Sequence, residues 1–341
     1  MNLDLPLIWA GVLAVGVLLY VLLDGFDLGV GILFPFAKSP ADRDLMMAAI
    51  APLWDGNETW LVLGGGGLFA AFPLAYSVVM PAVYLPLMAM LFGLILRGVA
   101  FEFRLHGRRS GKRFWTGAFA GGSLIAAVSQ GLVLGGFIQG MTVKNGAFAG
   151  GPFDWLTPYT MLTACGVVAG YALLGATWLV LKTSDDLHIG ARRWAWIAAV
   201  AVAILLAAVS FATLGVHPQI AARWGYAAGH IDWSRALRLA PAPLLGLVGL
   251  VTIALGLRAK SDGWPFAGAV MVFLAGYLGL AADFFPYVVP YAITYREAAS
   301  APNALALMLG GVAIMLPLIL GYTAVVYWLF RGKVSADAGY H

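Results

Sequence analysis

The chain has 341 residues, 62% of them hydrophobic and only 11% charged, with a formal net charge of +4. A soluble domain carries about 25% charged residues, so this composition excludes a soluble enzyme or binding module and indicates an integral membrane protein. The lone cysteine, Cys165, excludes an intrachain disulfide.

From the N-terminus, Met1 to Pro6 offers no basic stretch and no cleavage site, so the first apolar run reads as a retained span. A span needs about 20 apolar residues. Nine segments are predicted to cross: 7–34, 58–78, 80–101, 114–138, 158–181, 194–215, 240–257, 264–288 and 303–330. The second and third are parted only by a tight turn near Met80-Pro81. The connections are brief, so consecutive helices run antiparallel. The expected fold class is an all-α integral membrane bundle of about nine transmembrane helices. It forms a single polytopic domain over 1–341, ending in a short tail at 331–341.

Basic residues orient the bundle. Loops on the side opposite the N-terminus hold Lys38 and Arg43, the group Arg104, Arg108, Arg109, Lys112 and Arg113, then Lys182, Arg192 and Arg193, Arg258 and Lys260, and Arg331 and Lys333. The N-terminal side holds only Lys144, Arg223, Arg235, Arg238 and Arg296. The positive-inside rule then puts the N-terminus outside and the C-terminus in the cytoplasm. The basic balance is thus a topology signal, with membrane lipid rather than nucleic acid as its electrostatic partner.

Two short motifs interrupt the apolar background: Asp24-Gly25-Phe26-Asp27-Leu28-Gly29 in the first run, and Trp54-Asp55-Gly56-Asn57-Glu58-Thr59-Trp60 at the mouth of the second. An ionisable group at membrane depth is a functional-site hypothesis by default, since a charge at the bilayer centre costs roughly 2.5–3.5 kcal/mol on insertion scales. With the orientation above, Asp24, Asp27, Asp55, Glu58, Arg97 and Glu102 all approach the cytoplasmic side. Asp24 lies about 25 Å along a helix entered at Leu7, and Arg97 about 24 Å along one entered at Pro81. On a helix Asp24 and Asp27 share a face, while Gly25 and Gly29 form a small-xxx-small pair on another, where a second helix can approach.

Each feature also has a plainer reading. The first pair of acids can mark a helix end at the water interface. Asp55 and Glu58 have capping-box spacing, with Trp54 and Trp60 as interfacial anchors. Arg97 can snorkel to the surface, or it can be the counter-ion of Asp27 or Asp55. Glu102 reads as interfacial. Gly64 to Gly67 is followed by no Lys-Ser/Thr, so it is a site of close helix approach or irregular helix rather than a phosphate loop. Gln130, Gln139 and Asp283 are further polar groups in or near spans. His106, His188, His217, His230 and His341 all fall in predicted loops or the tail, so no histidine projects into a bundle as a haem ligand, and no metal or cofactor site is expected on this chain.

Together these residues resemble subunit II of the cytochrome bd quinol oxidases, including the cyanide-insensitive branch. The likeness is carried by Asp24 through Gly31, by Ala51 through Leu61, by Gly67 through Pro73, by Arg97 through Arg104, and by Phe285-Pro286-Tyr287-Val288-Val289-Pro290, and it extends over nearly the whole chain. It departs at Leu53, where some relatives carry a histidine before the Trp-Asp pair.

The resemblance implies a bacterial inner-membrane complex that oxidises quinol and reduces dioxygen to water with cytoplasmic protons. The haems of that complex, two b-type and one d-type, would sit on subunit I. Subunit II would be a partner of two four-helix bundles plus a peripheral helix. Within it, Asp55 would lie on a proton route, with Asp24, Asp27 and Arg97 at similar functional positions; the candidate pathway on this chain is then Asp55, Glu58, Asp24, Asp27 and Glu102, with Arg97 as charge partner. A structural quinone and a small single-helix accessory subunit belong to the same expectation. Two other functions fit membrane acids with a buried arginine: a proton-coupled secondary transporter, against which no matched pair of broken helices is predicted, and a purely structural subunit.

Overall fold

The computed structural model describes residues 3–106, 109–227 and 230–334. Helix α1 (Leu5–Leu33) starts where the Asp4 carboxylate accepts from the Leu7 amide and Pro6 occupies the first turn, a position where proline's missing N–H costs nothing. A 3-10 turn over Phe34–Phe36 ends it. The short amphipathic α2 (Pro40–Ala48) opens on a capping box, with Ser39 and Asp42 each bonding the other's backbone amide.

Next come α3 (Trp54–Glu58), α4 (Trp60–Ala71), α5 (Pro73–Ala82) and α6 (Tyr84–His106). Helix α7 (Arg109–Gln139) leads into a hairpin of β1 (Val143–Lys144) and β2 (Ala147–Phe148). The hairpin turns on Asn145 and Gly146, both at positive φ, as a two-residue primed turn requires. Helix α8 (Pro158–Lys182) has a second capping box, from Thr157 and Thr160.

The long α9 (Asp185–Val216) is followed by α10 (Pro218–Arg223), paired β3 (Tyr226–Ala227) and β4 (His230–Ile231), and α11 (Trp233–Leu239). Helices α12 (Pro241–Arg258) and α13 (Trp264–Phe284), a third hairpin of β5 (Tyr287–Val289) and β6 (Ile293–Thr294), and α14 (Pro302–Leu329) complete the described chain. All three hairpins lie on the face that carries the N-terminus, because each joins an ascending helix to a descending one.

Among the described residues, eight helices are long and apolar enough to cross a membrane. They correspond to eight of the nine predicted segments. The remaining one, 58–78, is a broken passage through α3, α4 and α5. Pro73 has no N–H to continue the helix and crowds Phe72 out of the helical region, to φ −133° and ψ 63°. Helix α5 then runs through Pro81, so the chain reverses at Val83 rather than at Met80-Pro81. The eighth segment stops at Phe284 instead of 288, where Pro286 and the third hairpin take over.

The helices form two groups. In one, α1 packs on α4 and α7, and α6 packs on α7; in the other, α8 packs on α9 and α13, and α12 on α13. The groups meet where α1 and α7 lie on α8. The closest of these approaches is between α1 and α8. A methyl group on Gly29 would meet the Tyr171 carbonyl oxygen at 1.8 Å, and one on Gly175 would meet the Gly29 backbone at 2.3 Å. Gly25 likewise seats the Tyr171 ring. Helix α14 is peripheral, with Leu305 its only buried residue.

Candidate functional site

The acids of the first motif sit on the last turns of α1, beside the Gly25–Gly29 contact that pins this helix to α8. That packing buries Asp24 and Asp27 completely, each at 0% exposure. Helix α6 brings Arg97 to them, itself 2% exposed. Its guanidinium forks: Nη1 contacts Asp24 Oδ1 at 2.6 Å, and Nη2 donates to Glu58 Oε2 at 2.7 Å. A planar guanidinium presents its donors in a rigid fork that fixes two carboxylates in defined positions. Glu58, at the end of α3, is 29% exposed. One cation therefore joins a carboxylate at the open mouth to one in the sealed interior.

Asp27 has a different partner. Asn57, 1% exposed, donates its amide to Asp27 Oδ2 at 2.7 Å and to the Leu23 carbonyl at 3.3 Å. The Asn57 carbonyl oxygen accepts from the Tyr327 hydroxyl of α14 at 2.9 Å. Asp27 Oδ1 and Asp24 Oδ2 are buried without a hydrogen-bond partner among the described residues.

A second polar group continues from this one. One turn before Asp24 on α1, the Tyr20 hydroxyl accepts from Gln130 at 2.7 Å, and Gln130 in turn accepts from the Tyr171 hydroxyl at 2.5 Å. The spacing of Tyr20 and Asp24, four residues apart, puts them on one helix face.

The remaining candidates lie at the rim. Asp55, in the first turn of α3, is exposed. It is not the cap of that helix; Leu53 holds the N-cap position and no side chain bonds there. Glu102 is exposed near the end of α6. Arg104, in a predicted loop, is instead buried at 3% on α6. It donates to Asp44 at 2.7 Å and to Thr116, with its guanidinium over the Phe34 ring. Trp54 is half-buried against Phe101, and Trp60 is buried at 3%, so Trp60 is no interfacial anchor.

Within the glycine run, Gly64 and Gly67 receive Val17 and Leu13 of α1, while Gly65 and Gly66 have open space beside them. Helix α4 stays regular through all four.

Asn57 and Tyr327 were not singled out from the sequence. Asn57 stands inside the second motif, and its polarity beside membrane depth is a usable signal. Tyr327 gave none, because a tyrosine near a span end is ordinary.

His188 lies in the first turn of α9 rather than in a loop, with Nε2 at 3.5 Å from Asp262. His217 caps α10 and stacks on Tyr291 at 3.7 Å. Both are at helix ends. The side chains of His106 and His230, and all of His341, lie outside the described residues, as do residues 335–341 of the predicted tail. No cluster of three His, Cys, Asp or Glu with metal-holding geometry occurs among the described residues.

The family model described as cytochrome bd terminal oxidase subunit II matches residues 5–330. Cytochrome bd-I ubiquinol oxidase subunit 2 of Escherichia coli (strain K12) is 28% identical over 362 aligned positions, spanning 95% of this chain and 94% of that one. Cytochrome bd ubiquinol oxidase subunit 2 of Bacillus subtilis (strain 168) is 29% identical, spanning 97% of this chain and 96% of its own. Among solved structures, a chain of the bd oxidase from Geobacillus thermodenitrificans superimposes with a TM-score of 0.78 over 97% of this chain, at 17% identity, which is a likeness of fold.

Proposed function

The chain belongs to the subunit II family of cytochrome bd terminal oxidases, which are oxidoreductase complexes, and from that premise we propose that it is the haem-free subunit that carries protons from the cytoplasm toward the oxygen-reducing site. The observation that carries this reading is the Glu58–Arg97–Asp24 bridge, which links a partly exposed carboxylate to a fully buried one. Asp55 and Glu102 at the rim collect protons. Glu58 hands them inward past Arg97, and Asp24 and Asp27 hold them at the end of α1. Arg97 keeps a positive charge at the entrance, so a second buried carboxylate can be ionised nearby without leaving the interior uncompensated.

The haems, two b-type and one d-type, are assigned to subunit I. In this reading His188, in the first turn of α9, and His217, at the N-cap of α10, serve those helix ends. Quinol is the substrate of the complex, oxidised on the partner subunit. A quinone held as a structural lipid and a small single-helix accessory subunit are part of the same reading, as are anionic lipids against the basic loops. The membrane is the bacterial inner membrane, with the N-terminus and the three hairpins outside and the acid mouth on the cytoplasmic side.

The test is oxygen consumption per haem in the co-expressed complex. Asp55→Asn and Glu58→Gln are expected to assemble with normal haem content and to turn over at least several-fold more slowly. Unchanged turnover in both would overturn the proton-carrying role. Reduced assembly with unchanged turnover per haem would favour a purely structural subunit, a reading that the doubly paired Arg97 also accommodates.

A further inference from the structure

Asp24 and Asp27 lie on one helix face, yet they are held by different means. Asp24 faces a cation; Asp27 faces an amide. The amide group of Asn57 is fully engaged on three sides: two donations to α1, at Leu23 and Asp27, and one acceptance from Tyr327 on α14. Its orientation is therefore assigned by its partners, since an amide turned the other way would set its oxygen against the Asp27 carboxylate and the Leu23 carbonyl. That leaves Asp27 Oδ2 occupied and Oδ1 buried without a partner.

We propose that Asn57 is a positioning residue of the proton route: it reserves Asp27 Oδ1 as the proton-carrying oxygen, and through Tyr327 it makes the aim of that oxygen depend on the seating of α14. The inference rests on the proton-carrying reading above. In the step itself, an O–H bond forms at Asp27 Oδ1 as one breaks at the donor on the mouth side. When that O–H bond breaks in turn, the proton bonds to an acceptor on the side of the oxygen-reducing subunit, and the carboxylate returns with its Oδ2 still bonded to Asn57. No electron is transferred.

The involvement of α14 follows from its polar contact with the acid cluster; one turn further on, Lys182 bonds the Phe330 and Gly332 carbonyls, so the seating of α14 is set outside the cluster. Its ring contacts are with Phe26 at 6.5 Å and Trp178 at 6.2 Å, and its polar contact with the acid cluster is the Tyr327 hydroxyl. A shift of α14 would move the Tyr327 hydroxyl and with it Asn57, while α1 is clamped to α8 through Gly29 and Gly175. Misplacing a transfer group by about 1 Å can cost on the order of 10²-fold in rate.

The experiment uses the co-expressed, haem-loaded complex carrying Asn57→Ala, Asn57→Gln, Tyr327→Phe or Asp27→Asn. Turnover per haem is measured together with infrared difference spectra, in which the protonated-carboxyl band is assigned to Asp27 by its loss in D27N. Asn57→Ala is expected to shift that band and slow turnover by between several-fold and about 10²-fold. Tyr327→Phe, which removes one hydroxyl and keeps the ring, is expected to shift the band in the same direction with a smaller loss. Should Asn57→Ala fail to assemble, Tyr327→Phe and Asn57→Gln carry the test. An unmoved band and wild-type turnover in the Asn57 and Tyr327 variants, with D27N slow, would overturn this inference and leave the proton route standing. Wild-type turnover in D27N would overturn both.

Discussion

Arg97 is one positive charge set among three carboxylates, two in direct contact and one a helical turn away. Removing it strands Asp24 at 0% exposure beside Asp27, with no other cation in contact among the described residues. Breaking a buried pair from one side costs about 3–5 kcal/mol, whereas removing both charges together is often nearly neutral. Arg97→Ala is therefore expected to lower the thermal midpoint and yield of the complex sharply, and Asp24→Asn combined with Arg97→Gln is expected to recover most of that loss. A double-substituted complex as unstable as the single one would show that the pair is not the source of the cost. Sequence alone placed these residues at one depth, because helical rise and basic-loop asymmetry set depth. It left the partner of Arg97 open among snorkelling, Asp27 and Asp55, and the structure puts Arg97 on Asp24 and Glu58 instead. Pairing depends on which helix faces meet, and no short-range pattern encodes that. Asn57 was missed for the same reason: its role is set by α1 and α14, 34 and 270 residues away in the chain.

Among the elements, the contact between α1 and α8 is the one on which the acid cluster depends. Gly29 lies so close to the Tyr171 carbonyl that any Cβ must displace backbone rather than a side-chain tip. Overpacking of this kind costs roughly 1–3 kcal/mol or more, since the neighbouring helix has to move. Gly29→Ala is expected to lower assembled complex several-fold and to broaden the acid site, measured by haem content per subunit. Gly11→Ala on the same helix, where nothing lies within 4 Å, is the matched control and is expected to leave it unchanged. A Gly29→Ala complex that assembles as well as the Gly11→Ala one would dispose of the close-packing argument. The long spans were legible, since a stretch of about 20 apolar residues matches the thickness of a bilayer core and is too long for an ordinary buried helix. The broken passage through α3, α4 and α5 was not, although Pro73 and Pro81 stood in view. Proline marks a possible stop, and whether the chain breaks there or bends through depends on what packs beside it. Here the break fell at Phe72, while Pro81 was absorbed into α5.

At the scale of the whole molecule the two faces are built for different work. The face opposite the N-terminus carries the acid mouth and the C-terminal end of α14, where Lys182 donates to the Phe330 and Gly332 carbonyls and Lys333 pairs with Asp262 at 2.7 Å. The N-terminal face is stitched by the loop after β6. There Arg296 pairs with Asp4 at 2.6 Å, and Ser300 bonds the carbonyls of Ala70 and Ala71, so one loop joins the starts of α1 and α14 to the end of α4. Glu297 holds the turn of this loop by accepting from the Thr294 amide and hydroxyl, each at 2.8 Å. Those bonds favour the ionised form, with the backbone amide foremost, and lower its carboxyl below the ordinary glutamate value of 4.5. A group whose folded value is depressed contributes its stability above the unfolded value and loses it as pH falls through the folded one. The loop is therefore expected to be fully stitched at neutral pH and to loosen progressively below about pH 4.5, with the change confined to residues near Thr294 because Glu297 is exposed. Amide-exchange protection of the 294–298 segment, corrected for the intrinsic rate at each pH, is expected to fall across that window in the intact chain. In Glu297→Gln it is expected to be lower already at neutral pH and flat with acidification. Protection in the intact chain that holds steady from about pH 7 to pH 3 would mean that the carboxylate does not hold this turn, leaving the Arg296 and Ser300 contacts, with the Trp9 indole on the Leu305 carbonyl, to join the N-terminal face.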